Sequence, residues 1–150
     1  IHDRYHPSRR NPYNEVECGD HYARAMASYG VFLAACGYEY HGPKGHLGFA
    51  PRLSPEDFRA AFTAAEGFGT IAQRRDAQTQ RETLTVKWGR LRLNTLAFEA
   101  PQPDSITTAT VTLAGETVPA QLAGAGRRLV LTLGREVTVE AGQELQVQLR

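Results

Sequence analysis

The stretch Thr83-Leu84-Thr85-Val86-Lys87-Trp88-Gly89-Arg90-Leu91-Arg92-Leu93 decides how the second half of the chain is read. Leu84, Val86 and Trp88 alternate with polar residues, and Leu91 and Leu93 alternate again after Gly89-Arg90. Successive side chains of a strand point to opposite faces, so period-two apolarity marks one buried face. Gly89-Arg90 reads as a turn between two strands. The phase then slips at Asn94-Thr95 before Leu96 and Phe98, as a bulge requires.

The same grammar runs to the C-terminus. Val111 and Leu113 precede a turn at Gly115, and Val118, Ala120 and Leu122 follow it. Gly124-Ala125-Gly126 turns the chain into Leu129, Leu131 and Leu133. Val137 and Val139 lead to a turn at Ala141-Gly142, then to Leu145, Val147 and Leu149. Short alternating strands with turns every ~8–12 residues are the pattern of a sandwich of antiparallel sheets. Residues 83–150 are expected to form an antiparallel β-sandwich.

The first third is written differently. His21 to Cys36 contains no proline, and Tyr22, Ala25, Met26, Tyr29, Phe32, Leu33 and Cys36 recur at helical spacing. Asp20 is placed to accept from the free N–H groups of a first turn, and Gly37 supplies a stop. The helix is apolar over a wide arc, which predicts that it is wedged between other helices. Gly37 to Phe49, with four glycines and a proline, reads as a loop or tight hairpin. Ser54-Pro55-Glu56-Asp57 has the form of a helix start, with Phe58, Ala61 and Phe62 as an apolar face.

Composition excludes several classes. The chain has 150 residues, is 41% hydrophobic and 22% charged, and carries a formal net charge of +1. That charge is too small to point to nucleic acid or an anionic membrane. No run approaches the roughly 18 apolar residues of a membrane span. Ile1 to Pro7 has no apolar core of the kind a signal peptide needs, and localisation stays open. Cys18 and Cys36 flank the helix, about 25 Å apart at ~1.5 Å per residue, so two free thiols are expected.

Chemistry concentrates between Arg9 and Arg24. Asn14, Glu15, Glu17, His21 and Arg24 lie just before and on the first turns of the apolar helix. Charge beside a buried helix is costly unless paired or in contact with a ligand. Two explanations stand: an internal salt-bridge network, or a polar pocket that hydrogen-bonds a polyhydroxylated ligand. As a catalytic pair, Glu15 and Glu17 are poorly placed. The two carboxyls of a glycosidase flank the scissile bond, about 5–9.5 Å apart, and near neighbours on one strand rarely straddle a ligand. His2 and His6 stand four apart, but no set of three or four convergent ligands is legible, and no metal or cofactor is expected. Tyr38, Tyr40 and Trp88 have the chemistry to stack on sugars, although packing is the commoner fate of such residues.

The run Arg10-Asn11-Pro12-Tyr13-Asn14-Glu15-Val16-Glu17-Cys18-Gly19-Asp20-His21-Tyr22-Ala23-Arg24 closely resembles the closing stretch of glycoside hydrolase family 116. Ala25 to Tyr29 and Gly42 to Phe49 resemble it too, so the likeness covers residues 1–51. That family includes bacterial β-glucosidases and non-lysosomal glucosylceramidases. The resemblance implies a retaining enzyme with an (α/α)6 barrel, whose nucleophile Glu and acid/base Asp come from earlier segments not present here. It implies that Glu15 and Arg24 hold hydroxyls of the glucose in the −1 subsite, with Asn14, Glu17 and His21 beside them. Family members of the simplest kind end near Pro51, whereas here nearly a hundred residues follow.

The expected fold is thus α+β. Residues 1–51 would close an (α/α)6 barrel with a helix and an active-site loop. Residues 52–82 would be a connector, and residues 83–150 a β-sandwich. The expected function is the substrate-binding C-terminal part of a β-glucosidase-like glycosidase, inactive alone, whose partners are a β-glucoside and the remainder of the catalytic enzyme. The competing reading is an accessory β-sandwich that binds carbohydrate or a partner protein without catalysis.

Overall fold

A computed structural model describes Ser8 and residues 22–150. It divides into two compact units, 1–35 and 36–150. In the first, helix α1 spans Tyr22–Cys36. It exposes Tyr29, Val31, Phe32 and Leu33, and it is the one α-helix among the described residues. No described helix is long and apolar enough to cross a membrane.

The second unit is built from ten strands: β1 Glu39–His41, β2 His46–Gly48, β3 Asp57–Ala64, β4 Gly67–Arg75, β5 Gln80–Glu99, β6 Ala109–Leu113, β7 Glu116–Val118, β8 Ala120–Ala125, β9 Arg128–Glu140 and β10 Glu144–Leu149. Strand β5, 20 residues long, is shared by two layers. Its first half lies between β4 and β10, in the order β3-β4-β5-β10-β6-β7. Its second half lies between β2 and β9, in the order β1-β2-β5-β9-β8. Every pair is antiparallel except β2 with β5, so the sheet is mixed. The inward residues of both layers form one core, among them Ile71, Leu84, Val86, Leu93, Leu131, Leu145 and Val147.

This corrects the expected fold. Strands make up 61% of the structure and helix 11%, and nothing in the described residues has the helical content of an (α/α)6 barrel. The segment assigned to an active-site loop of that barrel is sheet. Tyr38 and Tyr40 alternate with Glu39 and pack against the core, and Leu47 and Phe49 are buried. Pairing makes these segments strands: Glu39↔Gly48 and His41↔His46 join β1 to β2, and Leu47↔Leu96 joins β2 to β5. Between β1 and β2, Gly42–Lys44 forms a single 3-10 turn.

Two further expectations change for the same reason. The helix expected after Ser54 is strand β3, because Phe58, Ala60, Phe62 and Ala64 point inward at period two and pair along β4. The sheet outweighs the helix-start signal of Ser54-Pro55-Glu56-Asp57, and propensity is a weak prior against such pairing. Gly89-Arg90 makes no turn. It is the point at which β5 passes from one layer to the other, with Phe68↔Trp88 and Gly67↔Gly89 behind it and Arg90↔Glu140 ahead. The expected turns at Gly115, Gly126 and Gly142 do occur, each with positive φ. Leu145, Val147 and Leu149 are buried as the alternation requires.

Gly37 ends α1 in the left-handed region, φ +56°. A Cβ there would lie 2.3 Å from the Ala50 carbonyl oxygen. That close approach lets the Ala50 N–H satisfy the helix-terminal carbonyl of Cys36 at 3.1 Å.

Candidate functional site

Among the described residues, the candidate for molecular recognition is the outer face of β3, β4, β5 and β10. On β4, Gly69, Ile71 and Gln73 are buried, which turns Phe68, Thr70, Ala72 and Arg74 outward. On β5, Leu84 and Val86 are buried, and strict alternation would bury Trp88 as well. It does not, because the register slips between Phe68 and Gly69: Gly69 pairs with Val86, Phe68 pairs with Trp88, and Lys87 is the extra residue. A bulge of one residue sends the side chains beyond it to the other face. Trp88 is therefore 64% exposed and Phe68 48% exposed. Their rings are near-parallel at 15°, with centroids 6.1 Å apart. Beside them Arg90 Nη2 donates to Glu66 Oε1 at 2.6 Å, which holds the Glu66 carboxyl below its usual range.

Further along this face lies a shallow depression floored by Thr70, Thr83, Thr85 and Ala72. Arg59, Arg74, Arg81 and Lys87 rim it, against the single carboxylate of Glu144. Arg74 reaches Asp57 at 3.5 Å, and Arg81 donates to Gln148 at 3.0 Å. Arg59 and Lys87 have no ion-pair partner among the described residues.

Two other polar constellations are structural. At one, Arg128 donates both terminal nitrogens to Glu39, at 2.7 and 2.8 Å. His46 Nε2 lies 3.3 Å from Glu39 Oε2, and its Nδ1 lies 2.8 Å from Thr95 Oγ1. The Arg128 hydrogen bonds hold the Glu39 carboxyl down to about 2. The cluster ties β1, β2, β5 and β9 together. At the other, Gln73, Gln80 and Glu82 are fully buried inside the sheet. Burial pushes the Glu82 carboxyl up to about 8.

The residues singled out by the sequence fall mainly elsewhere. Asn14, Glu15, Glu17 and His21 lie outside the described residues, as do Asp20 and Cys18. Arg24 is the third residue of α1. Cys36 is a free, buried thiol. Tyr38 and Tyr40 serve packing: the Tyr38 hydroxyl donates to the Thr63 carbonyl, and the Tyr40 hydroxyl accepts from Ala65 N–H at 3.0 Å. Burial, with Tyr40 adjacent, pushes the Tyr38 phenol up to about 12. No group of three or more His, Cys, Asp or Glu among the described residues is placed to hold a metal. What sequence reading missed was the Lys87 bulge, whose only signal was glycine density at Gly67, Gly69 and Gly89.

Compared with known proteins, the chain matches no family model, and no curated protein matches it.

Proposed function

We propose that the chain is the C-terminal part of a retaining β-glycosidase of the β-glucosidase or glucosylceramidase type, in which Glu15 and Arg24 grip the sugar. The observation that carries this reading is the Arg10–Arg24 run itself, a long and unusual motif. Its chemistry suits the task. A carboxylate accepts from two sugar hydroxyls, and a guanidinium donates with fixed fork geometry. Contacts of this kind that tighten in the transition state raise turnover. The nucleophile and the acid/base are assigned to segments other than these 150 residues, so the chain by itself is inactive.

One feature of the structure supports the reading. The exposed Tyr29, Val31, Phe32 and Leu33 of α1 suit a helix that is covered by more protein.

The test supplies the chain with the remainder of the catalytic enzyme, fused to it or as a separate subunit, and assays hydrolysis of an aryl β-glucoside. Hydrolysis is expected, and Glu15→Ala or Arg24→Ala should each remove most of it. Unchanged activity in both variants would sink the assignment. The second reading, an accessory module for carbohydrate, is favoured by one observation, the exposed Phe68–Trp88 pair.

A further inference from the structure

We propose that the outer face of β3, β4, β5 and β10 binds an acidic oligosaccharide, one sugar ring stacking on Trp88, the more exposed ring of the Phe68–Trp88 pair, and the following units lying over the basic, threonine-lined depression. The inference deepens the accessory-module reading and is independent of the hydrolysis assigned to Glu15 and Arg24.

Three features of the face argue for it together. The first is the near-parallel aromatic pair, held outward by a bulge. The pyranose ring offers a flat patch of weakly positive C–H groups, which suits the negative face of an indole or phenyl ring. The second is continuity. Thr70 is two residues from Phe68 on β4 and pairs with Thr85, so platform and depression occupy one face of one sheet. Threonine hydroxyls both donate and accept, as sugar hydroxyls require. The third is charge. Arg74 is paired with Asp57, which leaves Arg59, Arg81 and Lys87 around the depression against one lining carboxylate, Glu144. A site so unbalanced complements carboxylate or sulfate groups.

A single-stranded nucleic acid shares the taste for rings and cations. It is the weaker fit here, because nucleic-acid grooves space their aromatic rings along the strand, one per base. This face has both rings at one end.

The experiment uses the 150-residue chain, hexagalacturonate as probe, and cellohexaose and decathymidylate as comparisons. Trp88 is the sole tryptophan, so its fluorescence reports on this face directly. Hexagalacturonate should shield Trp88 from a neutral quencher and bind more weakly as salt rises. Trp88→Ala should weaken binding, followed by titration calorimetry, by roughly tenfold. Trp88→Tyr should restore most of that loss, which an unfolded variant would not do. An Arg59→Gln, Lys87→Gln double variant should weaken binding while leaving the thermal transition in place. Any of four results overturns the proposal: no binding of hexagalacturonate, binding without shielding of Trp88, equal affinity for cellohexaose, or tighter binding of decathymidylate.

Discussion

Gln80 Nε2 donates to Glu82 Oε1 at 2.7 Å, two residues along β5, where both side chains are fully buried. Gln73 completes the cluster, donating to the Pro55 carbonyl at 2.6 Å and lying 3.4 Å from Gln80. Two atoms are left over: Gln80 Oε1 and Glu82 Oε2 have no hydrogen-bond partner among the described residues. A proton on Glu82 is the donor this cluster lacks, and a buried carboxyl prefers the neutral form.

The first prediction rests on that proton. Burial raises the Glu82 carboxyl from 4.5 to about 8, so between those values the folded chain holds a proton that the unfolded chain has released. Stability therefore falls as pH rises through that window. Below it both states are protonated and this contribution vanishes. Above it the penalty is complete, on the order of a few kcal/mol at ~1.4 kcal/mol per pKa unit. Glu82→Gln stays neutral throughout and brings its own N–H donor. In urea unfolding at pH 5 and pH 8, the variant should gain on wild type as pH rises. A constant difference would show that Glu82 is ionised at both.

A second pH dependence runs the other way. Hydrogen bonds from Arg128 lower the Glu39 carboxyl from 4.5 to about 2. The stability it contributes is present above the unfolded value and is lost as pH falls through the folded one. Both side chains are about half exposed, at 41% and 53%, so solvent screening limits the pair to about 1 kcal/mol or less. Arg128→Ala should cost that much at pH 7, and the difference from wild type should shrink toward pH 2. Acid titration of the unfolding midpoint in both proteins checks this; a difference independent of pH would assign the loss to packing of the Arg128 stem instead.

Much of the sheet was legible because its signal is local. Leu145, Val147 and Leu149 declare a buried face by alternation alone, and the glycines at 115, 126 and 142 mark their hairpins. What was not legible depends on pairing. Asp57 to Ala64 follows a plausible helix start at Ser54, and only the length of β4, the next strand, makes it a strand. Glu39-Tyr40-His41 is too short to declare itself. It becomes a strand through β2, which in turn runs parallel to β5, nearly fifty residues on. Of the candidate sites, the Glu15–Arg24 motif was legible as sequence. The Phe68–Trp88 face was not, since period two alone sends Trp88 inward.

Gly37 gives a third prediction. Its φ of +56° and the 2.3 Å that would separate a Cβ from the Ala50 carbonyl leave no room for a side chain. Gly37→Ala must shift the backbone of the segment leading from β2, and should cost about 1–3 kcal/mol or more. Gly142→Ala is the control, since it has positive φ but open space around it. It should be the milder change in thermal unfolding. Equal losses would mean that the approach to Ala50 contributes nothing.

The Lys87 bulge can be tested through the two side chains on either side of it. Leu84 lies two residues before Val86 and is fully buried, whereas Trp88 lies two residues after Val86 and is 64% exposed. Leu84→Ala removes buried volume and should cost about 2–5 kcal/mol. Trp88→Ala loses only a cross-strand contact with Phe68 and should cost at most about 1 kcal/mol. The native fluorescence should also be that of a water-exposed indole, open to a neutral quencher and little changed on unfolding. An unbroken alternation through Leu84, Val86 and Trp88 demands the reverse: a shielded tryptophan, and a truncation at Trp88 at least as damaging as the one at Leu84. The order of the two losses, measured by denaturant unfolding of the same chain, decides which face of β5 carries the ring.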